Sequence, residues 1–175
     1  QRRGRNIHLV MKYEEEYVYY DGEEGYLLDK DTLKETLSSI SKRNMIIQPF
    51  IHSMTKEGRP FDIRIHVRRN GKGEWEVLKI YPRLGEFGSA FSTVNPSIPE
   101  TQSIEQFLSE NYEFRSAQDI LAEINAFISL FPDHLQKNYA HPIDALGIDL
   151  GLDETGKLWL FEVNTTPDAE YFNNK

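Results

Sequence analysis

The chain has 175 residues, a formal net charge of −8 and no cysteine. That length allows one domain or two small lobes with a real core, and the acidic balance argues against a nucleic-acid partner. The lack of thiols excludes a disulfide framework and a thiolate metal site, in keeping with a reducing, cytoplasmic compartment; no apolar run reaches the length of a membrane span.

Residues 6–13 and 17–20 are rich in aromatic and β-branched residues and read as strands joined near Glu14, Glu15 and Glu16. Gly22 and Gly25 bracket a turn, and residues 25–28 form a short third strand. Residues 31–42 read as a helix capped by Asp31, with Leu33, Leu37 and Ile40 on one face. Residues 45–51, MIIQPFI, read as a buried strand that Pro49 must end or loosen, because proline removes a backbone donor. A loosened strand exposes backbone groups that could read a ligand ring; an edge strand without a site is the simpler account.

Residues 59–69, RPFDIRIHVRR, alternate strictly. Phe61, Ile63, Ile65 and Val67 face one way, and Asp62, Arg64, His66 and Arg68 the other. After Gly71, Lys72 and Gly73 the chain returns over residues 74–84, with Leu78 and Ile80 on one face and Lys79, Tyr81 and Arg83 on the other. This hairpin therefore presents a cationic face containing Arg64, Lys79 and Arg83. Arginine binds phosphate through paired donors and lysine as a point charge. A solvated sheet face is the competing account.

Residues 85–102 are rich in Gly, Pro and Ser and form a loop, either a mobile cover or a plain connector. Residues 103–109 read as a short helix. Residues 116–137 are the strongest helix, with Ala117, Ile120, Leu121, Ile124, Phe127, Ile128 and Phe131 in one core-facing stripe and Ser116 with Asp119 as a capping box. Pro132 is expected to kink or end it early. His134 and His141 could ligate a metal, but solvated loop histidines are commoner and no third soft ligand lies near.

Residues 145–167 organise the rest. Two apolar runs flank Asp153, Glu154, Thr155 and Gly156, which read as the turn of a hairpin. Leu146, Ile148, Leu150 and Leu152 share a face opposite Gly147, Asp149 and Gly151. On the return strand, Leu158, Leu160, Glu162 and Asn164 share a face opposite Trp159, Phe161 and Val163. A symmetric turn sets Asp149 against Leu160, with Glu162 its diagonal neighbour and Asn164 one step on. Two carboxylates among apolar strands are costly unless a cation compensates them, and Asp, Glu and an amide oxygen suit magnesium carrying a nucleotide phosphate. The bland account is a solvated hairpin edge. Residues 169–175 read as a fraying tail.

The end of this hairpin, Phe161 to Pro167, with Asp149 thirteen positions before Glu162, resembles the magnesium-binding end of the ATP-grasp superfamily. The run from Arg59 to Val67, the Gly-Lys-Gly turn, Trp75, and the runs from Gly147 to Gly151 and Leu158 to Leu160 resemble the endospore coat-associated, YheC/YheD-like ATP-grasp proteins of spore-forming bacteria. The resemblance implies an α+β, ATP-grasp-like fold of mostly antiparallel sheet with packed helices, lacking part of the first lobe. It implies a remnant of the nucleotide-binding lobe and hinge over residues 1–51 and a C-terminal metal- and phosphate-binding lobe over residues 52–175. The cofactors it implies are ATP and Mg2+.

Carried over by position, Asp149, Glu162 and Asn164 are metal ligands. Arg64 and Arg83 are catalytic candidates with phosphate or acyl-phosphate roles. Gln48, Phe50 and Ile51 belong to the hinge whose backbone meets adenine, and Gly4, Arg5, Asn6 and Ile7 look like the tail of a glycine-rich phosphate loop. The chain begins inside that loop, past the family's lysine strand. Gly147 stands where many ATP-grasp ligases carry arginine, Asp168 replaces a usual glycine, and residues 89–99 lack the basic residue and paired glycines common there. The implied activity is an ATP-dependent carboxylate–amine or carboxylate–thiol ligase working through an acyl phosphate. Its implied partners are a small carboxylate and an acceptor, with no nucleic acid and no membrane. The rival expectation is a non-catalytic nucleotide-binding or structural protein associated with the spore coat and its proteins.

Overall fold

The computed structural model describes residues 7–22, 24–41, 45–92 and 102–167. The chain divides into two units, Gln1–Phe50 and Ile51–Lys175, each with its own sheet. The expected phosphate-loop residues Gly4, Arg5 and Asn6, the stretch 93–101, Asp168 and the tail 169–175 lie outside the described residues.

In the first unit, β1 (Leu9–Tyr13), β2 (Glu16–Tyr20) and β3 (Gly25–Leu28) form an antiparallel meander. β1 begins at Leu9 rather than at residue 6. Tyr13 pairs with Glu16, so two residues make the turn, and Glu14 takes the left-handed conformation at φ 53° that such tight turns require. Helix α1 (Lys30–Ile40) follows. Its cap is Asp29, not Asp31: the Asp29 carboxylate accepts from the amides of Asp31 and Thr32 at 2.9 and 2.8 Å, and Asp31 sits in the first turn. The strand expected over 45–51 does not form. Ile46 is 89% and Ile47 98% exposed, and among the described residues no strand pairs with this segment. Its apolar composition signals burial, but Pro49 withholds a ladder donor and no sheet edge receives it.

In the second unit, β4 (Phe61–Arg69), β5 (Trp75–Leu84), β6 (Ala145–Leu152) and β7 (Leu158–Asn164) form an antiparallel sheet in the order β5-β4-β6-β7. Helices α2 (Ile104–Asn111) and α3 (Ala117–Gln136) lie between β5 and β6 in sequence. Phe61, Ile63, Ile65 and Val67 of β4 and Leu146, Ile148, Leu150 and Leu152 of β6 form one buried cluster with Phe107, Leu108, Ile120 and Ile124 of the helices. Strict alternation on the two central strands thus gives the sheet one apolar face and leaves the other to polar groups.

Ser103 caps α2, accepting from the Gln106 amide at 3.1 Å. Ser116 caps α3, accepting from the Asp119 amide at 3.1 Å and donating to its carboxylate at 2.7 Å. α3 does not stop at Pro132. It runs on to Gln136 with Pro132 itself buried, so packing of the apolar stripe outweighs the single backbone hydrogen bond that proline forfeits. Among the described residues no helix is long and apolar enough to cross a membrane.

Candidate functional site

The polar face of the second sheet brings Asp62 and Arg64 of β4, Arg83 of β5 and Asp149 of β6 into one cluster. Backbone register does this. Asp62 lies directly opposite Arg83, and Arg64 lies opposite Asp149 on one side and Tyr81 on the other. Arg64 Nε is 2.6 Å from Asp149 Oδ1, and Arg83 Nη2 is 3.1 Å from Asp149 Oδ2. Arg83 Nε donates to Asp62 Oδ1 at 2.6 Å, and the Ser92 hydroxyl donates to Asp62 Oδ2. The expected open cationic face is therefore corrected to a balanced network of two arginines and two buried acids. Asp62 is 1% and Asp149 4% exposed. Like charges on adjacent strands are expensive to bury, whereas acids across the ladder neutralise them.

Lys79 stays exposed on β5, its Nζ 4.7 Å from the Tyr81 ring centre, and the Tyr81 hydroxyl lies 3.1 Å from His66 Nε2. The expected pairing of Leu78 with Ile80 on one face is interrupted. The register shifts between His66 and Val67, which pair with Lys79 and Val77, so Leu78 is the extra residue of a bulge.

A second bulge sets the acidic end. Leu152, Gly151 and Leu150 pair with Leu158, Trp159 and Leu160; the register then shifts, and Asp149, Ile148 and Gly147 pair with Glu162, Val163 and Asn164. Asp149 therefore faces Glu162 directly, not Leu160, and Glu162 is no diagonal neighbour. Leu158 and Leu160 pair with the core-facing Leu152 and Leu150, while Glu162 and Asn164 pair with the polar-face Asp149 and Gly147, so these four do not share one face. Phe161 is the extra residue. Its ring fills the space over Gly151, where a Cβ would stand 2.0 Å from Phe161 Cζ. Gly147 is used likewise: a Cβ there would stand 2.7 Å from Arg64 Nη1.

Electrostatics follow from burial. The Asp149 carboxyl stands raised to about 6: desolvation and, less strongly, Asp62 push it up and outweigh the downward pull of Arg83 and Arg64. Burial lowers the pKa of Arg83, but Asp62 and Asp149 more than offset this and leave it raised. The Asp149 contacts are ion pairs without hydrogen-bond angles. Arg64 Nε, Arg83 Nη2 and Asp149 Oδ1 are buried and have no hydrogen-bond partner among the described residues.

That arrangement fits a divalent cation and a phosphate chain. Asp149 has an under-used oxygen, directly opposed pairs place Glu162 beside it at about 5 Å between Cβ atoms, and Asn164 follows two residues on. Glu162 is exposed and Asn164 half-buried. Two carboxylates and an amide oxygen are hard donors of the kind magnesium takes. Among the described residues no three His, Cys, Asp or Glu side chains gather to hold a metal, so His134 and His141 belong to no such cluster. Gln48 and Phe50 are exposed at the end of the first unit, and Ile51 is half-buried at the start of the second. Sequence reading put Asp62 on the polar face without giving it a role and left Ser92 in a loop. The signal for Asp62 was its place opposite Arg83 across a hairpin; for Ser92 there was none.

A family model described as YheC/D like ATP-grasp matches residues 1–175. The chain is 25% identical over 133 residues to the endospore coat-associated protein YheD of Bacillus subtilis (strain 168), covering 75% of this chain and 28% of that protein. It is 22% identical over 139 residues to the endospore coat-associated protein YheC of the same organism, covering 79% of this chain and 38% of that protein. The chain thus matches about a third of the length of these relatives.

Proposed function

The chain belongs to the YheC/D-like ATP-grasp family, and from that premise we propose that the polar face of its second sheet binds the triphosphate of MgATP. The observation that carries this reading is the half-buried pair Arg64 and Arg83 closed on the buried Asp149 by ion pairs, with Glu162 directly opposite that acid. An arriving phosphate offers the guanidinium groups better-aligned oxygens than Asp149 does. Asp149, Glu162 and Asn164 would hold Mg2+, which would supply charge neutralisation to the phosphates. Lys79 adds a point charge at the rim, and the backbone of Gln48, Phe50 and Ile51 meets the adenine.

In the full-length protein the chemistry is ATP-dependent ligation. A substrate carboxylate oxygen attacks the γ-phosphorus, ADP leaves, and an acyl phosphate remains. An amine or thiol then attacks the acyl carbon, and inorganic phosphate leaves. Arg64 and Arg83 touch the transferring phosphoryl group and stabilise the charge that develops on it. Their positions on the paired neighbouring strands β4 and β5 hold them in place before substrate arrives. A second reading, a nucleotide-binding or structural protein of the spore coat without turnover, draws on the names of the relatives, which state coat association and no activity. Its partners are coat proteins.

Phosphate release from ATP, assayed in the full-length protein with panels of carboxylic acids, amines and thiols, separates the two. Acid-dependent release supports ligation. Tight MgATP binding without release supports the coat reading, and no binding removes the nucleotide from both.

A further inference from the structure

We infer that Asp62 is a positioning residue for Arg83, pinning the guanidinium at Nε so that its terminal nitrogens meet phosphate, and that Ser92 holds Asp62 in turn. This rests on the reading of the polar face as a triphosphate site. The two buried acids there grip arginine in different ways. Asp62 is hydrogen-bonded at both oxygens: one accepts from Arg83 Nε at 2.6 Å and the other from the Ser92 hydroxyl. Asp149 makes ion pairs without hydrogen-bond angles to Arg64 and Arg83. An incoming anion therefore competes with Asp149 and leaves Asp62 in place.

The contact atoms sharpen the distinction. Nε lies nearest the chain, so a carboxylate bound there fixes the plane of the guanidinium without covering its outer edge. Asp62 and Arg83 are also directly opposed across β4 and β5, so the backbone ladder sets their contact before any ligand binds. A guanidinium held this way loses less side-chain freedom when phosphate arrives. The charges also exchange cleanly. Two acids and two arginines leave this face balanced; were Asp149 to turn to a cation, both arginines would be freed for the anion while Asp62 kept Arg83 aimed.

A double-mutant cycle on MgATP affinity, read by calorimetry on the full chain, tests this. Asp62→Asn should weaken MgATP binding about tenfold, the scale of one hydrogen bond to a charged group. In an Arg83→Gln background the same substitution should cost nothing further, because Asp62 acts only through Arg83. Ser92→Ala should weaken binding about threefold by loosening Asp62, and it carries the test should Asp62→Asn fail to fold. Equal losses in both backgrounds, or unchanged affinity in Asp62→Asn or Ser92→Ala, would overturn the inference while leaving the triphosphate site standing. A wild-type chain with no affinity for MgATP would overturn the site and this inference together.

Discussion

Asp149 and Glu162 face each other across one rung of the β6–β7 ladder, yet one is buried and the other exposed. The difference divides their work. Asp149 already balances two guanidinium groups and is costly to alter; removing its charge strands Arg64 and leaves Arg83 to Asp62 alone. Glu162 is exposed and pairs with no cation among the described residues, so its carboxylate is available to a metal without loss to the fold. Glu162→Gln should therefore reduce magnesium-dependent nucleotide affinity about tenfold or more and leave the melting temperature nearly unchanged. Calorimetry with and without Mg2+ is the check, and equal affinity for wild type and variant in the presence of metal would remove Glu162 from the ligand set. Arg64→Ala belongs with it. Arg64 is proposed to meet phosphate, so the variant should lose affinity for ATP by about a factor of ten or more while adenosine binding holds. Matching losses for the two ligands would give Arg64 some other use. Some stability will go as well, because Asp149 loses one of its two cations.

At the scale of elements, the two bulges decide which side chains meet, and they were the least legible part of the sequence. Alternation in β4 and β6 was readable because both strands are central and one face of each is packed against helices. The chain gives no mark for an extra residue. A symmetric turn and the observed hairpin fit the same letters, and only Gly151, which admits the Phe161 ring, hints at the shift. The pairing of β4 with β6 was illegible for a different reason: the two strands are separated by β5 and both helices. Arg64 and Asp149 were therefore singled out separately and not as partners. The segment 45–51 misled because apolar letters alone do not supply a strand with a neighbour.

Gly151→Ala tests the bulge. The added methyl clashes with Phe161 and should cost about 1–3 kcal/mol in urea unfolding. A second substitution, Phe161→Ala, should not add its full cost on top, since the clash is then gone. Simple additivity would mean that the ring already moves freely. The hairpin turn gives a pH test. Asp153 accepts from Thr155 and Lys157 amides, the Thr155 hydroxyl and the Trp159 indole. Slight burial pushes its carboxyl up, but these donors outweigh burial and hold it at about 2, below its ordinary 3.8. A lowered acid pKa gives stability that is present above pH 3.8 and is lost as pH falls towards 2. Asp153→Asn should thus be less stable than wild type by about 1 kcal/mol at pH 7, a solvent-weakened value, and the gap should close near pH 2. A gap independent of pH would mean that shape and not charge holds the turn.

The molecule as a whole is two units meeting in sequence at Phe50 and Ile51, with the exposed segment 45–50, which lies in no strand or helix, immediately before the boundary. Backbone that makes no ladder and carries Ile46 and Ile47 almost fully in solvent is the kind a protease can draw into its cleft, which needs an extended stretch of chain. Chymotrypsin, which cuts after large apolar residues, should therefore nick the chain at Met45 or Phe50 well before sites such as Phe61 and Phe107 that are buried in the second unit. Gln48, Phe50 and Ile51 are proposed to meet adenine through their backbone. A ligand that binds the intact segment stabilises it by mass action, by about 2.7 kcal/mol at a hundredfold excess over Kd. MgATP should then slow this cut strongly. Mg2+ with tripolyphosphate, which fills the arginine and carboxylate site but has no ring, should slow it much less. Equal protection by both would place the effect at the sheet face and leave the adenine contacts without support. A first cut inside β4 or α2 would show that the second unit opens before the segment does, against the burial of their apolar residues.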